Sequence, residues 1–208
     1  MPIHDWTRVD AGIFHHFHVM WAIALADKFN QGSLPHAHYA LLERAAVEAH
    51  AYPGQHSVAI HHESDSRTLA VLEIVSPKQK SDPRRFRAFC DGAAKLIRAG
   101  VHLLIVDLLP PGQLDPFGFH QMIWQSLVED GNSIAQANRR HSLAAYVGGP
   151  MPQAFCEQAQ VGARLPEMPL FLSSDTYISV PLEETYTSAF TRVPLFWRKV
   201  LDSPPGSS

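Results

Sequence analysis

Cysteine is scarce: Cys90 and Cys156 are the only two in 208 residues, they lie far apart, and they make no metal-binding or redox spacing. That excludes a disulfide-framed secreted domain and leads us to expect a reducing, cytoplasmic setting. Long apolar runs are also missing. Nothing approaches the ~18 residues needed to span a bilayer, and M-P-I-H-D-W-T-R at the start has no apolar signal core, so no membrane partner is expected. Charge of one sign is not in excess. The net charge of -3 offers no global basic field to advertise a nucleic-acid partner. What remains is an ordinary globular composition, 46% hydrophobic and 18% charged, long enough for one sizeable core. Thirteen histidines are the one oddity, and they are scattered.

The chain reads as a single domain over 1–202, with an elaborated C-terminal extension from about 141 to 202 and a disordered tail over 203–208 (S-P-P-G-S-S). Asp10 as N-cap and Gly32 as stop predict a helix over 11–30, with Phe14, Phe17, Trp21 and Leu25 forming an apolar stripe. Residues 34–51 are ambiguous: 39–48 holds helix formers but follows a Gly-Ser-Leu-Pro turn, and Tyr52-Pro-Gly54 then breaks the chain. Residues 57–62 and 68–75 read as a β-hairpin around the polar turn E-S-D-S-R. Asp82-Pro83 starts a helix that Gly100 closes, and V-H-L-L-I-V-D-L-L over 101–109 has the near-continuous apolar character of a central parallel strand. Residues 115–128 read as a loop leading into a short helix with His120 and Trp124, and 143–147 and 154–161 as further strands. Proline-punctuated segments over 164–180 wrap the core, and 182–201 is a C-terminal helix interrupted near Pro194.

The most informative stretch is T-L-A-V-L-E-I-V-S-P-K-Q-K, residues 68–80. It places one carboxylate, Glu73, inside an apolar strand, where an unpaired charge costs several kcal/mol. Strand, helix and strand from 68 to 109 form a right-handed βαβ unit, which brings Glu73 and Asp107 to the carboxyl end of the sheet, where open α/β sheets bind ligands. Each acid also has a structural reading: Glu73 neutralised by Lys78, Lys80 or an arginine, and Asp107 capping a turn.

No phosphate loop, dinucleotide fingerprint, nucleophile elbow or zinc-protease helix is present. Glu43, Asp65, Glu73, Lys78 and Lys80 remain. Carboxylates suit a hard divalent cation, and a lysine suits developing charge on a phosphate. V-L-E-I-V-S-P-K-Q-K, R-x-F, A-G-V-H-L-L-I-V-D-L-L-P-P, M-P-I-H-D-W-T-R-V, D-P-x-G-x-H-x-x-I-W, L-x-x-Y-V-x-G-P and M-P-L-F-L together resemble bacterial domain-of-unknown-function family 4058 and its relatives over nearly the whole chain. That family is similar in turn to the restriction-endonuclease-like PD-(D/E)XK superfamily.

The resemblance implies an α/β fold, a mixed sheet with flanking helices on an α-β-β-β-α-β core. It implies catalytic roles for Glu73, Lys80, Asp65 and Glu43, with Asp65 (or Glu63) and Glu73 holding Mg²⁺ or Mn²⁺. The chain departs from that pattern in three places. Val75 stands two residues after Glu73, where the motif has lysine; Gly92 occupies the helix position where relatives place one, with Lys95 a turn on; and no Pro-Asp pair precedes the strand.

Two functions follow as expectations. One is metal-dependent phosphodiester hydrolysis, with Lys78, Lys80, Arg84, Arg85 and Arg87 on the backbone of a nucleic-acid partner. The other is a catalytically degenerate structural or interaction protein in which Lys80 pairs with Glu73. A histidine-built transition-metal site using His15, His18, His61 or His62 is a third and weaker candidate, and a homo-oligomer is left open.

Overall fold

The structure, a computed structural model, describes residues 1–44, 56–128 and 142–204. The sequence expectations for 45–55, including the Tyr52-Pro-Gly54 break, and for the last four residues of the tail lie outside those residues. The chain is α/β, with six helices (α1–α6) and eight strands (β1–β8) among the described residues.

β1 (His38–Arg44), β2 (His56–His62) and β3 (Thr68–Ile74) form an antiparallel meander. β4 (His102–Val106) joins β3 in parallel, and β5 (Leu143–Val147) and β6 (Gln153–Glu157) add antiparallel strands, giving a mixed sheet in the order β1-β2-β3-β4-β5-β6. The ambiguous segment after Leu34 is thus extended over 38–44. Its ladder with β2 prevails over local helix propensity, which is a weak prior. β5 and β6 complete the same sheet that β1–β4 begin, although they lie in the region expected as an extension.

α1 (Ala11–Lys28) ends in a π-turn over Phe29–Ser33, in which Gly32 takes φ 114°, a left-handed value that favours glycine. The hydrophobic stripe expected of α1 is buried at Phe14, Phe17, Trp21 and Leu25. Trp21 Nε1 donates to Thr185 Oγ1 at 3.0 Å, tying α1 to α5 (Leu182–Phe190). α2 (Pro77–Lys80) is one short turn set by a Ser76–Gln79 capping box, and α3 (Pro83–Arg98) starts on the Asp82 side chain, which accepts from the Arg84 and Arg85 amides.

Alternation along the strands assigns the two faces. Tyr146 on β5 meets His120 of α4 (Phe119–Leu127) at 3.0 Å, so α4 covers one face, and α3 packs beside it. Phe155 and His102 point the other way, to Phe171 of the β7–β8 hairpin (Met168–Phe171 with Tyr177–Val180). The segments expected to wrap the core therefore pair with each other as a second, two-stranded sheet. Gly148 leaves β5 so close to Val101 that a Cβ there would lie 2.4 Å from the Val101 carbonyl oxygen. α6 (Leu195–Asp202) follows α5 after Pro194, the interruption expected there.

One buried histidine makes the core sensitive to acid. His18 is fully buried, its Nε2 hydrogen-bonds the His56 carbonyl at 3.2 Å, and desolvation pushes its pKa from 6.5 down to about 4. The folded value lies below the unfolded one, so this contribution is complete above about pH 6.5 and is lost as pH falls through about 4. A shift of this size corresponds to about 3 kcal/mol. Chemical denaturation should therefore show stability falling steeply between pH 6.5 and 4. His18→Leu should flatten that slope, and an unchanged slope in the variant would assign the acid sensitivity to other groups.

Candidate functional site

The βαβ unit brings several of the expected residues to the carboxyl end of the sheet. Glu73 is the penultimate residue of β3, opposite Ile105, and Asp107 follows β4 directly. Glu43 lies opposite Ser57, and Val58 lies opposite Leu72, so one residue further along that register Ser57 is level with Glu73. Glu43, Ser57 and Glu73 thus form a row across three strands. Glu73 is 0% exposed and Ser57 1%.

Lys80 ends α2 and turns in toward the end of β4. Its Nζ lies 2.7 Å from Asp107 Oδ2 and 2.6 Å from Asp115 Oδ2, donates to the Pro110 carbonyl at 3.1 Å, and sits 5.5 Å from the centre of the Phe119 ring. The side chain is 10% exposed, between carboxylates that are 2% and 0% exposed. Burial holds the Asp107 carboxyl above its ordinary value, outweighing the charge and hydrogen bond of Lys80 and the Leu109 amide, with the neighbouring Asp115 charge adding to the rise. The second oxygen of each acid holds a loop amide: Asp107 Oδ1 accepts from Leu109 N at 3.0 Å, and Asp115 Oδ1 from Gly112 N at 2.8 Å. One lysine therefore pins the 107–118 loop through two acids.

This geometry changes the expected roles. The Lys80 ammonium, expected beside Glu73, is instead engaged by Asp107 and Asp115. Asp107 does hold a turn, as one of its readings had it, and adds an ion pair. Asp115 is a site residue that the sequence marks only as part of a turn: the Asp115-Pro116 pair follows P-P-G, a turn-making composition with one acid in it.

Asp65 lies in the β2–β3 turn, at the far end of β3 from Glu73. Its Oδ1 accepts from the Arg67 amide at 3.1 Å, and its side chain is exposed. Glu73 lies five positions along the strand from Thr68, roughly 17 Å at the β-strand rise. Asp65 and Glu73 therefore do not share one small ion, and Glu63 lies at the same distant end. Lys95 is exposed near the far end of α3, twelve residues beyond Pro83 or about 18 Å along the helix axis, so it does not replace the motif lysine.

The remaining candidates have local partners. Glu43 Oε1 lies 2.9 Å from His61 Nε2, and His61 Nδ1 lies 3.0 Å from the Ser66 carbonyl. His15 and His18 rings are 6.4 Å apart on α1, and His62 Nδ1 lies 2.8 Å from Ser64 Oγ. Among the described residues, no three His, Cys, Asp or Glu side chains are grouped to hold a metal ion. Asp65 lies at the other end of β3 from Glu73, and a cation at Asp107 and Asp115 would have to displace Lys80. No family model, no curated protein and no solved structure matches this chain.

Removing Lys80 should leave two buried carboxylates facing one another. Lys80→Met is expected to cost about 3–5 kcal/mol, whereas Asp65→Ala on the exposed turn should stay within about 0.5 kcal/mol. Urea unfolding of both variants checks this. Equal, small effects would show that the triad carries no structural weight.

Proposed function

We propose that this chain is a catalytically degenerate interaction protein on a restriction-endonuclease-like scaffold, with an anionic partner such as a nucleic-acid backbone. The observation that carries this reading is the position of Lys80. A lysine serving a scissile phosphate beside Glu73 needs a free ammonium, and this one is already neutralised by two carboxylates at 2.6 and 2.7 Å. The order α1, β1, β2, β3, α3, β4 follows the α-β-β-β-α-β order implied by the sequence resemblance, which supports the scaffold.

Charge distribution supports the partner. Residues 78–98 carry seven of the 17 Lys and Arg and only two of the 20 Asp and Glu. Lys80 is internal, while Lys78, Arg84, Arg87, Lys95 and Arg98 are exposed on α2 and α3. The rest of the chain is acidic in net, so the cations form one basic flank suited to phosphates.

A metal-dependent nuclease is the second reading. One observation favours it: Glu43, Ser57 and Glu73 share a row at the carboxyl end of the sheet. Calorimetric titration with Mn²⁺, together with cleavage assays on DNA and RNA in Mg²⁺ or Mn²⁺, separates the two. The expected result is no saturable ion binding and no cleavage. A labelled oligonucleotide should be retained at low salt, released as salt rises, and weakened by Arg84→Glu with Arg87→Glu. Divalent-ion-dependent cleavage that disappears in Glu73→Gln would overturn the degenerate reading in favour of the nuclease.

A further inference from the structure

Among the described residues, two large apolar side chains exposed at successive positions lie on α6. Leu195 is 58% and Phe196 67% exposed, directly after Pro194, whereas Val193 and Leu201 are buried. Trp197 packs partly against the core and meets the Phe196 ring edge-on at 4.9 Å. At about 100° per residue, Leu201 and Trp197 share the inward arc, and Leu195, Phe196, Lys199 and Val200 share the outward one. Residues 191–202 contain three cations (Arg192, Arg198 and Lys199) and a single acid, Asp202, whose Oδ1 is 3.0 Å from His4 Nε2. Arg192 and Lys199 are exposed on either side of the apolar pair.

We infer that α6 is a docking surface for an anionic lipid headgroup layer. Leu195 and Phe196 enter the acyl boundary, and Arg192 and Lys199 lie against lipid phosphates. Charge complementarity selects this occupant. An apolar pair alone would suit any greasy partner, but exposed Arg192 just before α6 and exposed Lys199 on it, with the helix anchored by Leu201, match a negative, two-dimensional surface. The attachment is peripheral. No helix among the described residues is long and apolar enough to cross a membrane, which bears on spanning and not on adsorption. This surface is independent of the basic flank on α2 and α3.

The test uses the whole chain with vesicles of phosphatidylcholine alone and of phosphatidylcholine mixed with phosphatidylglycerol, read by co-sedimentation and by tryptophan emission. Trp6 and Trp21 are buried, and Trp124 and Trp197 are both half-buried, so the emission shift is read in a Trp124→Phe background, where it reports on Trp197 beside Phe196. The expected result is salt-sensitive binding to the phosphatidylglycerol vesicles. It should be weakened about tenfold by Leu195→Ser with Phe196→Ser, and comparably by Arg192→Glu with Lys199→Glu. All four side chains are exposed, so circular dichroism should show the variants folded. Lack of binding to the anionic vesicles, or binding indifferent to the serine pair, would overturn the proposal. So would a wild-type dimer in light scattering that the serine pair converts to monomer, because a second copy would then be the occupant.

Discussion

A single ammonium group organises the carboxyl end of the sheet. Lys80 reaches across from α2 to Asp107 at the end of β4 and Asp115 beyond it, and both acids spend their second oxygen on a loop amide. Removing two carboxylates and a lysine from water is expensive, and the arrangement persists because every partner is close and further hydrogen bonds share the load. The consequence is geometric. The 107–118 loop, the Ser76–Gln79 capping box that aims Lys80, and Phe119 beneath the ammonium are fixed relative to one another. The same consequence bears on function, because a lysine committed in this way is not free to meet a phosphate.

The strand–helix–strand core was legible in the sequence because each of its boundaries has a local cause. Asp82-Pro83 starts α3, Gly100 ends it, and the all-buried pattern of β4 is that of a strand covered on both faces. Glu73 and Asp107 at one end follow from that topology alone. Partner choice was not legible. The acids available to Lys80 depend on where the loop after β4 returns, and Asp115 comes back through a turn that local composition marks only as a turn. Asp65 fails as a partner of Glu73 for a simpler reason. In a hairpin, residues close in sequence across the turn are near each other, but the far end of a seven-residue strand is not near its own start. The extended state of 38–44 was likewise decided by pairing with β2, not by its own residues.

Charge is distributed as unevenly as chemistry is concentrated. A near-neutral chain hides a basic flank on α2 and α3 and a smaller basic rim around the exposed apolar turn of α6, with the compensating acids spread over the remainder. Net charge therefore understates what the surface can bind. Both surfaces sit on helices anchored by buried residues (Phe86, Phe89 and Ile97 for α3, Leu201 for α6), so each presents its cations from a rigid support.

Lys80 and its two acids act as one unit. A double-mutant cycle combining Lys80→Met with Asp107→Asn, measured by urea unfolding, isolates that coupling from the separate costs of each change. Coupling of about 2 kcal/mol or more is expected, the double variant being less destabilised than the sum of the singles because one buried carboxylate, Asp115, is left facing the absent ammonium instead of two. Additive effects within about 0.5 kcal/mol would contradict the account. They would return Lys80 to the pool of groups free to act beside Glu73.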